Sequence, residues 1–137
     1  MINETKLREY YKEYLLIEKI IAERETKRDK LYNIFKESKA GKLYLRLSEE
    51  EQQTFEYIYT DATYQQYLFY EKQVTEFKEA RNKLLLNISQ DREVFPFKQN
   101  EILESLNISD DLKEFMQMIT LKINNTNNNY KFNKNKL

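Results

Sequence analysis

Apolar and aromatic side chains recur every three or four residues over much of the chain, the spacing that places them on one face of an α-helix. Near the N-terminus this stripe consists of Leu7, Tyr10, Tyr14, Ile17 and Ile21, and it returns at Leu31 and Phe35. The pattern predicts a first helix over residues 3–38. Residues 23–30 are wholly polar, and we interpret them as solvated helix surface; a helix break and a charged contact surface are the alternatives.

The segment after this helix predicts a turn followed by an extended connector. Gly41 is the only glycine, and we expect it to take the left-handed conformation that often ends a helix. Residues 43–47 alternate like a strand, but no second convincing strand is available to pair with them. They are therefore predicted to be an extended connector whose leucines enter the core.

The clearest local signal is the capping box that Ser48 and Glu51 can form at the start of a second helix, residues 48–88. Asp61 could cap a restart within it. From Tyr67 onward the spacing alternates between three and four, as in a coiled coil, which predicts packing against the first helix. The positions are Tyr67, Tyr70, Val74, Phe77, Arg81, Leu84 and Ile88.

Two short helices are predicted near residues 99–106 and 109–123, after a loop around Pro96. The remaining residues are rich in Asn and Lys and lack the apolar content to fold alone. The sequence thus predicts an all-α fold, a long antiparallel coiled-coil-like hairpin closed by two short C-terminal helices. Residues 1–123 would form a single helical domain, and residues 124–137 a flexible tail.

The composition removes most catalytic chemistry. The chain has no cysteine and no histidine, so Ser-His-Asp and Cys-His catalysis are impossible, and Zn, Cu and haem lack their usual ligands. One glycine cannot form a phosphate-binding loop. A carboxylate-based or Mg-dependent enzyme is the remaining catalytic alternative. We expect a protein that is not an enzyme and binds no metal or cofactor.

Charge and hydropathy bear on partners and location. Lys and Arg together balance Asp and Glu, 23 against 23, but no acidic residue follows Glu114. A strong nucleic-acid binder would usually have a broad basic surface instead. No apolar run approaches the length of a membrane span, and the N-terminus has no signal-peptide core. We therefore expect a cytoplasmic protein with no membrane partner.

Tyrosine is unusually abundant, with eleven in the chain, and five fall between Tyr57 and Tyr70. On a helix these five cannot all face inward, so some are expected to be exposed. Exposed tyrosines are common in protein interfaces, although a wide hairpin core filled by tyrosine is the alternative. We predict contact with a protein partner or a second copy through Tyr57, Tyr64, Tyr67 and Tyr70.

Residues 101–109 are typical of the first helix and turn of a helix-turn-helix DNA-binding unit. The helix that would follow opens with Asp110 and Asp111, whose charges would repel phosphate. Two packed helices joined by a capped turn are therefore the preferred interpretation.

Residues 48–88 contain a matching stretch at residues 59–61, a turn position occupied by Phe69 and Tyr70, and a basic helix over residues 77–84 that carries an Ala-x-x-x-Leu pattern. In this respect the segment resembles the C-terminal region of phage late-operon activators of the ArpU type. The resemblance implies DNA contacts by Lys78, Arg81 and Lys83.

The sequence thus favours a non-enzymatic protein-interaction module: a small adaptor, inhibitor or regulator. Its bias toward Asn, Lys, Ile and Tyr suggests an AT-rich genome and a phage or plasmid accessory protein. A DNA-binding transcriptional regulator is the second hypothesis, and a carboxylate-based enzyme is the third.

Overall fold

A computed structural model shows an all-α protein in which a long hairpin is the main feature. The structure describes residues 2–95 and 107–135, with side chains up to residue 123, and no β-strand occurs in these ranges. The helices are α1 (Glu4–Glu37), α2 (Lys39–Leu45), α3 (Glu49–Thr54), the 3₁₀ helix η1 (Glu56–Thr60), α4 (Ala62–Gln90) and α5 (Asp110–Asn135). The antiparallel hairpin of α1 and α4 confirms the predicted fold class.

Helix α1 is continuous through its polar stretch, so the alternative of a helix break is wrong. Two arginines of that stretch face α4. Arg24 Nε donates a hydrogen bond of 2.8 Å to Gln73 Oε1, and Arg28 Nη1 lies 3.6 Å from Glu71 Oε2. The stretch is therefore a polar section of the hairpin seam rather than helix surface facing only solvent.

The chain turns sharply after α1, and here two sequence predictions are wrong. Residues 39–45 form α2 instead of an extended connector, because Ser38 caps a new helix. Gly41 lies within this helix, its φ is not positive, and its N–H donates to Ser38 Oγ at 3.0 Å. A Cβ built at Gly41 would lie 1.7 Å from the carbonyl oxygen of Phe35, so glycine is required for close approach and not for a left-handed turn.

The predicted second helix is divided into α3, η1 and α4. Ser48 and Glu51 form the predicted capping box, with both reciprocal hydrogen bonds present. The predicted restart at Asp61 is also confirmed, because its carboxylate accepts the N–H of Tyr64 at 2.9 Å in the first turn of α4.

The chain divides into two compact units. Unit 1 contains Met1–Leu16 and Ala80–Leu137, and unit 2 contains Ile17–Glu79. The buried apolar side chains of unit 1 include Leu7, Leu84, Leu85, Ile88, Val94, Leu112, Phe115, Met116 and Ile119. Those of unit 2 include Ile21, Phe35, Ile58 and Val74.

The C-terminal predictions have different outcomes. The predicted helix near residues 99–106 lies outside the described residues. Helix α5 begins at Asp110, close to the predicted start, but it extends to Asn135, beyond the predicted end at 123. A single domain with a flexible tail stays a prediction. Within the described residues, no helix is both long and apolar enough to cross a membrane.

Candidate interaction surface

Eight aromatic rings of unit 2 form a connected group, which we call the aromatic cluster. Its members are Tyr32, Phe35, Tyr44, Phe55, Tyr57, Tyr59, Tyr64 and Tyr67. Tyr64 is central, since its ring centroid lies 5.0 Å from that of Phe35 and 5.7 Å from that of Tyr44. Ring pairs at such separations are favourable beyond the area they bury.

Local structure brings these rings together from four helices. The cap at Ser38 turns α2 back, so that the ring of Tyr44 comes within 6.1 Å of the ring of Phe35. Gln52 of α3 then donates to the carbonyl oxygen of Tyr44 at 3.1 Å, which joins α3 to α2. The restart at Asp61 places Tyr64 in the first turn of α4.

The cluster extends from the core of unit 2 to its surface. Phe35 is buried, Tyr64 is half-buried, and Tyr57 and Tyr59 are 66% and 52% exposed. Burial, followed by a hydrogen bond with Tyr44, raises the pKa of Tyr64 above its usual value. The Tyr64 phenol therefore stays neutral at physiological pH. The exposed rings of the cluster thus pack against inner rings of the same cluster.

The sequence around the rings from Phe55 to Tyr67 is acidic, whereas Tyr44 of α2 is flanked by exposed Lys42 and Arg46. Residues 47–71, which we call the acidic segment, contain six carboxylates and no Lys or Arg. Three of the six have structural roles. Glu51 caps α3, and hydrogen bonds from Ser48 lower its pKa; Asp61 caps α4; and Glu71 faces Arg28.

The other three carboxylates of the acidic segment belong to Glu49, Glu50 and Glu56. All three side chains are exposed. They have no hydrogen-bond or ion-pair partner within residues 2–95 and 107–123. Their charges therefore contribute to the potential that a partner would meet at this surface.

The structure brings together three of the four predicted contact tyrosines. Tyr57, Tyr64 and Tyr67 belong to the aromatic cluster. Tyr70 lies elsewhere on α4, with its ring 5.3 Å from that of Phe69 and the Nζ of Lys27 5.7 Å from its centroid. Tyr57 is thus the one predicted residue that is largely exposed.

Sequence reasoning missed Tyr44 of α2 and did not select Tyr59. Tyr59 is exposed, and Tyr44 contacts the centre of the cluster. The error follows from the incorrect extended connector. Ser38, a residue type favoured at the N-cap, was the available signal for a capped helix.

The basic residues implied by the resemblance do not share one surface. Arg81 and Lys83 are two positions apart on α4, so they project about 160° from one another. Arg81 is half-buried and Lys83 is exposed. Lys78 is also half-buried. This arrangement gives no continuous basic face along α4.

The first helix of the predicted helix-turn-helix lies outside the described residues, apart from its turn. The helix after that turn, α5, carries Asp110 and Asp111 in its first turn. A hydrogen bond from Ser109 and a weaker effect of the Leu112 N–H lower the pKa of Asp111, so its carboxylate is ionised. This helix start is thus anionic where a recognition helix would approach phosphate.

Neither a metal centre nor an enclosed pocket is evident in the described residues. Within the part of the chain that the structure describes, no three side chains of the metal-ligating types converge on one point. A shallow open groove in unit 2 follows α1 along Thr26, Lys30 and Ile34. It does not enclose a ligand as a cofactor pocket would.

Comparison with known proteins adds no functional information for this chain. No family model, no curated protein and no solved structure matches it. A functional proposal for this chain therefore depends on its aromatic cluster and its acidic segment.

Proposed function

We propose that the protein is a non-enzymatic interaction module that binds another protein through the exposed end of the aromatic cluster. The observation that carries the proposal is the exposure of Tyr57 and Tyr59 on rings that continue into the buried core. A small cytoplasmic adaptor, inhibitor or regulator would use such a surface.

The physical basis is the low cost of binding with a ring that is already held in place. Tyr59 packs 6.1 Å from Tyr64, and Tyr57 packs 6.1 Å from Phe55, measured between ring centroids. A partner would therefore immobilise few additional torsions when it covers these rings. Exposed Leu43 and Leu45 of α2 supply further apolar area in the same unit.

Site-specific photocrosslinking in the producing cell tests this proposal. A photoreactive phenylalanine analogue at position 57 should give a discrete crosslinked protein band. The control is the same analogue at Lys72, a side chain of unit 2 that is 79% exposed and lies outside the acidic segment. Equal bands at the two positions, or no band at position 57, would contradict the proposal.

The DNA-binding alternative makes a different prediction. Contact through Lys78, Arg81 and Lys83 would give a gel shift that weakens steeply as salt rises. The opposite projection of Arg81 and Lys83 and the exposed carboxylates of the acidic segment both favour the protein partner. A salt-dependent shift that is lost in a Lys78→Gln, Arg81→Gln, Lys83→Gln variant would support the alternative instead.

A further inference from the structure

The two signs of charge are separated along this chain. The acidic segment, residues 47–71, has six carboxylates and no basic residue. Residues 124–137, which we call the basic tail, have the reverse composition, with Lys131, Lys134 and Lys136 and no carboxylate side chain. A chain whose overall net charge is zero thus contains two complementary segments.

The acidic segment also has side chains suited to lysine. Exposed Tyr57 and Tyr59 lie beside Glu56 in sequence, and a tyrosine face attracts an ammonium group. Elsewhere in unit 2 the protein already makes this contact, because Lys27 Nζ lies 5.7 Å from the ring centroid of Tyr70. The combination of rings and unpaired carboxylates fits a lysine-rich segment better than a neutral or acidic one.

The basic tail also contains aromatic residues, Tyr130 and Phe132, which alternate with its lysines. Such a segment can bury rings and place ammonium groups near carboxylates in a single contact. Aromatic side chains together with opposite charge are a usual basis for specific recognition between proteins.

We propose that the basic tail of one copy docks on the acidic segment of a second copy, with its lysines pairing with Glu49, Glu50 and Glu56 and its rings covering Tyr57 and Tyr59. This inference rests on the proposed function and names the partner. Charge complementarity carries it, since the same chain supplies both surfaces. The contact joins different surfaces on the two copies, so it is heterologous and can add copies successively.

Sedimentation velocity with two charge variants tests the inference. One variant carries Glu49→Gln, Glu50→Gln and Glu56→Gln, and the other carries Lys131→Gln, Lys134→Gln and Lys136→Gln. Wild-type protein should associate as its concentration rises in about 0.01 M salt, where the Debye length is about 30 Å, and should dissociate in about 1 M salt. Each variant alone should show a dissociation constant raised about tenfold, as the loss of three exposed ion pairs predicts.

The decisive sample is the equimolar mixture of the two variants. One variant retains the tail lysines and the other retains the carboxylates, so a mixed pair contains one intact contact. The mixture should form a heterodimer with the wild-type dissociation constant and should not grow further. Circular dichroism of each variant confirms that its helices are retained.

Two results would overturn the inference. One is a wild-type chain that stays monomeric at every concentration in low salt. A tail that binds within its own molecule, and not to a second one, would also give this result. The other is a mixture that associates no better than either variant alone. Neither result affects the photocrosslinking at position 57, where a band from a different protein would keep the proposed function while removing self-association.

Discussion

The buried side chains of unit 1 are mainly aliphatic, whereas unit 2 combines buried Ile21, Ile58 and Val74 with a group of rings that reaches its surface. In unit 1, Leu7, Ile88 and Leu112 are fully buried, and Phe115 packs against Tyr11 and Tyr14 with ring centroids 4.9 and 5.2 Å apart. In unit 2, the central ring of Tyr64 is only half-buried. The same two hairpin helices contribute to both units, so the difference comes from the side chains and from the helices added to them.

Polar contacts between α1 and α4 occur in both units, and those of unit 2 are made by Arg24 and Arg28. In unit 1, Asp91 accepts hydrogen bonds from Lys6 at 2.8 Å and from Tyr10 at 2.7 Å, which ties the end of α4 to the start of α1. In unit 2, three exposed carboxylates have no partner in the described residues. Exposed carboxylates without a described partner also occur in unit 1, for example Glu13 and Glu114, so the feature that distinguishes unit 2 is its exposed rings.

The largest expected effect concerns the unit 1 core. Phe115→Ala should reduce the free energy of unfolding by about 3–5 kcal/mol, because it removes a buried ring and leaves a cavity beside Tyr11 and Tyr14. Urea denaturation measures this change. Leu121→Ala, on the exposed side of α5, is the control and should change it by about 0.5 kcal/mol. Equal effects would mean that unit 1 has no closed core.

The second prediction concerns the replacement of the helical glycine of unit 2 by alanine. Gly41→Ala should lower the free energy of unfolding by about 1–3 kcal/mol, because the added Cβ would meet the Phe35 carbonyl at 1.7 Å. A glycine with free space in a helix would instead gain about 0.5–1 kcal/mol on the same change. Denaturation with urea therefore distinguishes the two by sign, and Lys39→Ala, at an exposed position of α2, serves as the control.

The third prediction uses pH to test the polar tie of unit 1. Hydrogen bonds from Lys6, then from Tyr10, lower the pKa of Asp91 from 3.8 to about 2. The contribution of Asp91 to stability is therefore complete above its unfolded-state pKa and is lost as pH falls from about 4 to about 2. Asp91→Asn should flatten the stability profile in this window. Asp110→Asn, another carboxylate of unit 1, should leave that part of the profile steep.

The last prediction concerns the exposed rings of unit 2, whose removal should change stability least and binding most. Tyr57→Ser and Tyr59→Ser should each change the free energy of unfolding by about 0.5 kcal/mol, because both side chains are mostly exposed. Combined, they should abolish both the crosslink from a probe at exposed Glu56 and the low-salt association. Phe69→Ser removes an equally exposed ring outside the cluster and should preserve both. If Phe69→Ser has the same effect as the tyrosine variants, the surface has been placed wrongly.

Local sequence signals were sufficient for much of the fold. The three-four spacing identified α1 and α4, and the side chains of Ser48 and Asp61 marked helix starts, because capping depends on residues only a few positions apart. One incorrect prediction concerned Gly41. Its short distance to the Phe35 carbonyl arises from the packing of α2 on the end of α1, and glycine is equally compatible with a helix end and with a close approach.

The candidate site was predicted only in part, for the same reason. The excess of tyrosine around position 57 indicated that some rings would be exposed, because one helix cannot bury them all. The sequence did not indicate which rings would meet. Tyr44 joins the cluster because α2 turns back, and Tyr70 lies outside it, with its ring near Lys27 and Phe69 instead.

The close spacing of the tyrosines has an optical consequence. The chain contains no tryptophan, so its ultraviolet emission comes from tyrosine, and energy passes readily between rings whose centroids are about 6 Å apart, as in Tyr64 and Tyr67. A partner that carries tryptophan and covers Tyr57 would accept this energy. The protein is therefore expected to report such binding by the loss of its own tyrosine emission and the appearance of the partner's tryptophan emission, without an attached dye.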